Sequence, residues 1–113
     1  MNAFGSIATV LALVLGVGSG TSAHAETVFV KYRGPVNLAQ FHCDYPISSF
    51  VHRICYRKEK QYLVVLLERT YYHYCRIPPM LVQQWLDASS QGRFYGTYIK
   101  GNYDCRLGGI PVE

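Results

Sequence analysis

Four cysteines, Cys43, Cys55, Cys75 and Cys105, and the histidines beside three of them are the residues best equipped for chemistry. His42-Cys43, His52-x-x-Cys55 and His73-x-Cys75 each put an imidazole close to a thiol. Structural zinc sites use Cys-x(2–4)-Cys or His-x(3–5)-His spacing, and neither spacing occurs here. No metal and no cofactor is therefore expected. Gly-x-Ser-x-Gly, His-Glu-x-x-His, a phosphate loop and a Cys-x-x-Cys redox pair are all missing. Catalysis has no residues to rest on, and the chain is not expected to be an enzyme. An even cysteine count in a small exported chain points instead to disulfides.

The second chemical theme is tyrosine interleaved with arginine and lysine. Residues 71–106 hold six of the ten tyrosines, the only tryptophan and two of the cysteines. Tyr72, Tyr74, Arg93, Lys100 and Arg106 form the candidate ligand surface. Stacking platforms and phosphate contacts use these residue types, which makes nucleic acid a second possible partner. Tyrosine also has a plain structural use, covering a small sheet with an apolar body and a wet hydroxyl. The formal net charge of +4 is mild. Tyr72, Tyr74, Tyr95 and Tyr98 are accordingly read first as structural.

The elements that must position these residues follow from the local pattern. Residues 27–32, ended by Arg33-Gly34-Pro35, read as a short strand. Residues 36–47 show no clean period and read as a connecting segment. Residues 50–56 form a second strand, with Phe50, His52, Ile54 and Tyr56 on one face and Val51, Arg53 and Cys55 on the other. Residues 61–67 are apolar on both faces, as a central strand should be. Glu68-Arg69 makes a tight turn into a strand over 70–75. Pro79 suits the first position of a helix, with Leu81, Val82, Trp85, Leu86 and Ser89 on one face. Ser89-Ser90-Gln91-Gly92 interrupts it. Phe94, Tyr95, Tyr98 and Ile99 repeat the pattern as a second short helix that stops at Gly101. Residues 102–107 read as extended. The fold class expected is α+β: a small three-stranded antiparallel meander with one or two helices packed on one face through Leu81, Trp85, Leu86 and Phe94. The N-terminal strand or the tail is free to add to an edge.

This meander limits the disulfide pairing. With residues 50–56 and 70–75 flanking the central strand, Cys55 and Cys75 stand two strand spacings apart, about 9.6 Å. A disulfide needs Cα atoms within about 7 Å. Two pairings stay open: Cys43–Cys55 with Cys75–Cys105, or Cys43–Cys75 with Cys55–Cys105.

Residues 1–25 read as a signal peptide. The apolar run over 7–17 is roughly half the length a spanning helix requires, and Ala23-His24-Ala25 offers the small residues of a cleavage site before Glu26. The segment before Ile7 lacks the usual Lys or Arg. The protein is expected to be exported, periplasmic or secreted, with no stable membrane insertion after cleavage. Removal of the leader leaves 88 of the 113 residues. A domain that small is marginal without cross-links.

One ordered set of short motifs runs from Ser48 to about Arg106: Ser48-Ser49 before a strand, Tyr56 ending it, and Tyr72-His73-Tyr74 followed by Ile77-Pro78. It continues with Ala88-x-Ser90-x-Gly92, the aromatic pair Phe94-Tyr95, and Ile99-Lys100-Gly101-x-Tyr103 closed by Arg106. In this order and spacing the chain resembles the KTSC domain family, named after a segment at the C-terminus of some lysyl-tRNA synthetases. Gly96 stands where the family often has Asn, and the cysteines set this chain apart as an exported branch. The resemblance implies no established biochemical role. RNA binding is suggested for the family by its synthetase context alone, an argument by association. The divisions expected are a signal peptide (1–25), an N-terminal strand and connecting segment (26–47), a KTSC-like domain (48–107) and a tail (108–113). The function expected is a non-enzymatic binding module, with an unknown protein or an envelope polymer as partner. Nucleic acid is the alternative.

Intact-mass and N-terminal sequencing of the exported form test the leader directly. A mature chain beginning at Glu26 is expected, and a retained leader contradicts this reading.

Overall fold

The computed structural model describes residues 26–108, so the leader and most of the tail lie outside the described residues. Six strands form one mixed sheet: β1 (Thr27–Val30), β2 (Gly34–Asn37), β3 (His42–Asp44), β4 (Val51–Arg57), β5 (Tyr62–Leu67) and β6 (Thr70–Cys75). Their spatial order is β2-β1-β6-β5-β4-β3. The β1–β6 pair is parallel and joined at Val30 and Tyr71, while the other pairs are antiparallel. Helix α1 (Pro79–Asp87) is followed by the short α2 (Gln91–Phe94), which runs on into a π-helical turn over Tyr95–Ile99. The class is α+β and the domain is disulfide-braced, but the three-stranded meander is corrected to a six-stranded mixed sheet. The strands β4, β5 and β6 of the expected meander are its centre.

The added strands escaped the sequence pattern for physical reasons. Gly34-Pro35 opens β2 rather than merely ending β1. Proline lacks an amide hydrogen and is tolerated on an edge strand, which β2 is. Strand β3 is only three residues long and holds a histidine, a cysteine and an aspartate. It carries no apolar alternation and fell inside the expected connecting segment.

The chain must pass from β2 at one edge to β3 at the opposite edge using residues 38–41 alone. Five strand spacings of a flat sheet amount to about 24 Å. The five steps from Asn37 to His42 reach at most about 18 Å when fully extended. The sheet therefore curls, and the crossing segment covers its concave face. Leu38 and Phe41 from the crossing pack there with Val30, Val36, Cys55, Tyr62 and Val64. Val36 on β2 and Cys55 on β4 share this cluster although three strands separate them in the sheet order.

The opposite, convex face carries the larger core. Ile54, Leu63, Val65 and Leu67 of the sheet pack against Val82, Trp85, Tyr95 and Ile99 of the helices. Leu81, Leu86 and Phe94 pack against it from the side. A register shift between Val51 and Arg53 inserts His52 as a bulge in β4. An extra residue reverses the alternation before it, so Val51 joins Ile54 and Tyr56 on the convex face instead of opposing them. The π-helical turn has a similar effect: Lys100 N donates to Tyr95 O at 2.9 Å, five residues back. The wider turn buries Tyr95 and Ile99 but leaves Tyr98 52 % exposed, against Phe94.

Both disulfides lie on the concave side. Cys43 and Cys55 are direct cross-strand partners on β3 and β4, with Cα atoms 4.0 Å apart. Cys75 at the end of β6 is bridged to Cys105, Cα atoms 4.8 Å apart. Of the two pairings left open by sequence, this is the first, and no cysteine is left as a thiol. The bridges close loops with separations of 12 and 30 residues. Loop-closure entropy of that size corresponds to about 3 and about 4 kcal/mol in the chain-entropy picture.

Arg53 extends along the concave face and is only 9 % exposed. Its guanidinium donates to both carboxylate oxygens of Glu26, at 2.8 and 2.7 Å, and to the Tyr71 hydroxyl at 3.0 Å. The Tyr45 ring lies 5.1 Å from it. The Glu26 carbonyl in turn accepts from Leu38 N at 2.8 Å. The start of β1 is thus held to the crossing segment and, through Arg53, to β4. The hydrogen bond from Arg53 holds the Glu26 carboxyl below its ordinary value of 4.5.

Glu26→Gln is expected to cost about 1–2 kcal/mol at neutral pH, less than a fully buried pair because Glu26 is half-exposed. A lowered acid pKa stabilises the fold only when the carboxylate is ionised, so the contribution is complete above about pH 4.5. It fades as the pH falls through the lowered value. Urea titrations should therefore show the two proteins converging in stability in acid, and a difference that persists unchanged at low pH contradicts the pairing.

Candidate functional site

A cleft of about 670 Å³ opens along the outer side of β6. Its floor is Tyr72, His73 and Tyr74. One wall is Lys31 and Tyr32, where the chain leaves β1, and the other is the segment from Gly101 to Arg106. Local conformation sets both walls. Tyr32 has φ 70°, and Arg33 N bonds back to Val30 O at 3.0 Å, turning the chain away from β6. Gly101 has φ 81°, a left-handed conformation that glycine adopts without steric cost. That turn brings Tyr103 O to Cys75 N at 2.8 Å, and the Cys75–Cys105 bridge fixes the segment just beyond.

The cleft mixes aromatic and charged groups. Tyr32 is 83 % exposed. The Lys31 ammonium lies 5.4 Å from the centre of its ring and 5.8 Å from that of Tyr72. Arg106 grips Asp104 through Nε and a terminal nitrogen, and Arg76 donates to the Asp104 carbonyl at 2.7 Å. The bonds from Arg106 hold the Asp104 carboxyl at about 2. His73 Nδ1 lies 2.8 Å from the Tyr62 hydroxyl. Burial, with the nearby charge of Arg33, pushes the His73 pKa down despite the opposing pull of Asp104.

Of the surface expected from sequence, Tyr72, Tyr74 and Arg106 line the cleft, whereas Arg93 and Lys100 do not. Arg93 and Lys100 are both solvent-exposed, on α2 and just past the π-helical turn. Lys31 and Tyr32 were missed. They stand some forty positions before Tyr72 in the sequence, and only the parallel pairing of β1 with β6 brings them near. The histidines do not gather around the sulfurs. His42 lies 3.5 Å from Asp44, and among the described residues no three His, Cys, Asp or Glu side chains converge.

Most of the conspicuous tyrosines are committed internally. The Tyr56 hydroxyl donates to Ile77 O at 2.5 Å, tying β4 to the segment that leads into α1. The Tyr74 and Tyr95 hydroxyls lie 2.6 Å apart and join the sheet to the helical layer. Burial and then the bond to Tyr95 raise the Tyr74 phenol far above the usual tyrosine range. The small polar residues have similar duties. Ser48 Oγ accepts from the amides of Phe50 and Val51, and Ser90 Oγ caps α2 through Arg93 N. Trp85 Nε1 donates to Gln91 O, and Gln91 Nε2 returns to Ala88 O at 2.9 Å.

All of these residues fall within a stretch that matches a known family. The model of the KTSC domain family matches residues 47–103. A crystal structure of a KTSC domain protein from Yersinia pestis superposes with a TM-score of 0.54 at 28 % identity, covering 57 % of this chain and 92 % of that one. No curated protein matches the chain. The matched region holds β4, β5, β6 and the helices, and β1, β2 and β3 lie before it. Each disulfide joins one cysteine inside that region, Cys55 or Cys75, to one outside it, Cys43 or Cys105.

Tyr74→Phe and Tyr95→Phe should each lower stability by about 1 kcal/mol, since each leaves a partner hydroxyl unpaired. The double variant is expected to cost little more than either single change. Additive losses in a double-mutant cycle contradict a direct bond between the two hydroxyls.

Proposed function

Because the chain belongs to the KTSC domain family, a membership that brings no activity with it, we propose that it is a non-enzymatic binding module acting outside the cytoplasm. Its partner is a protein or an envelope polymer, taken up in the cleft beside β6. The observation that carries this reading is the division of labour among the tyrosines. Tyr56, Tyr74 and Tyr95 spend their hydroxyls inside the fold, while Tyr32 is exposed and the Lys31 ammonium stands over Tyr72 in the same concave surface. Concave sites with a few convergent polar groups are the usual form of a recognition surface.

The placement outside the cytoplasm draws support from the sulfurs. All four are oxidised in two bridges, a state that persists in oxidising compartments. Among the described residues no helix is long and apolar enough to cross a membrane. A cation above aromatic rings also favours a second reading, single-stranded nucleic acid, through stacking and phosphate contact. Export would separate the protein from cellular RNA, so this reading ranks second.

The test is saturable co-sedimentation of residues 26–113 with an envelope fraction, alongside anisotropy with labelled single-stranded RNA across a salt series. Envelope binding that drops about ten-fold in Lys31→Glu and Tyr32→Ala, on the scale of a charge-assisted contact, is expected. Retention indifferent to both substitutions contradicts the cleft as the site, and RNA binding with a steep salt slope replaces the first reading by the second.

A further inference from the structure

The floor of the cleft is a sheet edge with one rung missing. In an antiparallel pair, successive residues direct their backbone groups alternately toward and away from the partner strand. Strand β6 is joined to β5 by the two-residue turn Glu68-Arg69, which makes Leu67 and Thr70 the first hydrogen-bonded pair. Tyr72 and Tyr74 then face β5, while Tyr71, His73 and Cys75 direct their backbone groups outward. Two outward bonds fix this parity independently: Tyr71 O accepts from Lys31 N at 2.9 Å, and Cys75 N donates to Tyr103 O at 2.8 Å. Midway between them, the N–H and C=O of His73 point the same way. Strand β1 would have supplied the next rung, but it turns off at Tyr32. Among the described residues no hydrogen bond reaches either group.

We infer that this gap is a slot for a short extended peptide bearing a carboxylate, which completes the rung at His73 by strand addition; the inference rests on the cleft being the binding site. From Tyr71 to Cys75 the edge spans about 13 Å, room for two or three residues of extended chain. Main-chain bonds supply affinity in this mode and flanking pockets supply selectivity. The charge requirement comes from Lys31. Its ammonium stands exposed at the mouth of the slot, over the rings of Tyr32 and Tyr72, and no carboxylate among the described residues pairs with it. The positive charge of Arg106, by contrast, is already matched by Asp104. The carboxylate can come from an acidic side chain or from a chain terminus.

The first test needs no ligand. Amide exchange of residues 26–113, followed by NMR, should find the His73 amide exchanging at least ~10-fold faster than those of Tyr72 and Tyr74, as an unpaired group between paired ones does. The probes for the second test are pooled acetylated hexapeptides, randomised at four positions. One pool ends in glutamate with a free terminus, one in glutamate amide and one in glutamine amide. A fourth repeats the first with N-methylated backbone. The first pool, and at least one arm of the carboxylate comparison, should shift the His73 amide. N-methylation should weaken capture by ~3–10-fold for the lost backbone bond, and Lys31→Glu by ~10-fold for the lost charged contact. The glutamate-amide pool distinguishes a side-chain carboxylate from a terminal one. A protected His73 amide in the free protein overturns the inference. So does capture indifferent to N-methylation, or a His73 resonance that no pool moves. If envelope binding still depends on Lys31 and Tyr32 in that case, the strand-addition slot fails while the binding module stands; if it does not, both fail.

Discussion

Four residues spanning the width of a six-stranded sheet are the constraint on which the rest of this fold depends. Residues 38–41 are too few to cross a flat sheet, so the sheet curls and the crossing itself becomes a lid for the concave face. Without the curl, Val30, Val36 and Val64 would face water on the side away from α1 and α2. The two disulfides and the Arg53–Glu26 pair act at the ends of this arrangement. One bridge holds β3 where the crossing arrives, the other holds the segment around Cys105 against β6, and Arg53 reaches from β4 to the start of β1. The polar brace is economical: one arginine meets a carboxylate, a phenol and an aromatic face at once.

The molecule therefore has two cores that stand differently to the family match. The convex core of sheet and helices falls within the region shared with the KTSC family, and its recurring residues are architectural. Ser48 and Ser90 satisfy backbone amides, Gly101 makes a left-handed turn, and the Tyr74–Tyr95 contact joins two layers. The concave core is shared: Val30, Val36 and Leu38 come from before that region, Cys55, Tyr62, Val64 and Cys75 from within it, and both bridges cross its boundary. Sulfur links are thus placed where added segments meet the shared domain, which is where a small domain gains most from closing loops. The candidate site has the same composite character, with Tyr72 and Tyr74 from the shared region and Lys31 and Tyr32 from the addition.

What the sequence disclosed followed the strength of its local signal. Strands β4, β5 and β6 are six or seven residues long and rich in apolar or aromatic side chains, and they were legible. So was helix α1, through Pro79 and the spacing of Val82 and Trp85. Strands β2 and β3 were not, because Gly-Pro-Val-Asn and His-Cys-Asp owe their extended state to neighbours rather than to propensity. The His52 bulge and the π-helical turn each insert one residue into a regular repeat, and no composition marks them. Strand spacing removed one of three cysteine pairings, but the choice between the other two required knowing that β3 pairs with β4. In the site, Arg93 and Lys100 were drawn in by closeness along the chain, whereas Lys31 and Tyr32 reach it only through the pairing of β1 with β6.

Backbone hydrogen exchange with both bridges intact tests most directly whether the crossing makes one cooperative body of all six strands. Val30 and Leu38, whose amides and side chains belong to the concave core, should open with nearly the same free energy as Val64 in the central strand. Exchange of Val30 and Leu38 through a low-energy local opening, while Val64 stays protected by global unfolding alone, would contradict the account and reduce β1 and β2 to an appendage.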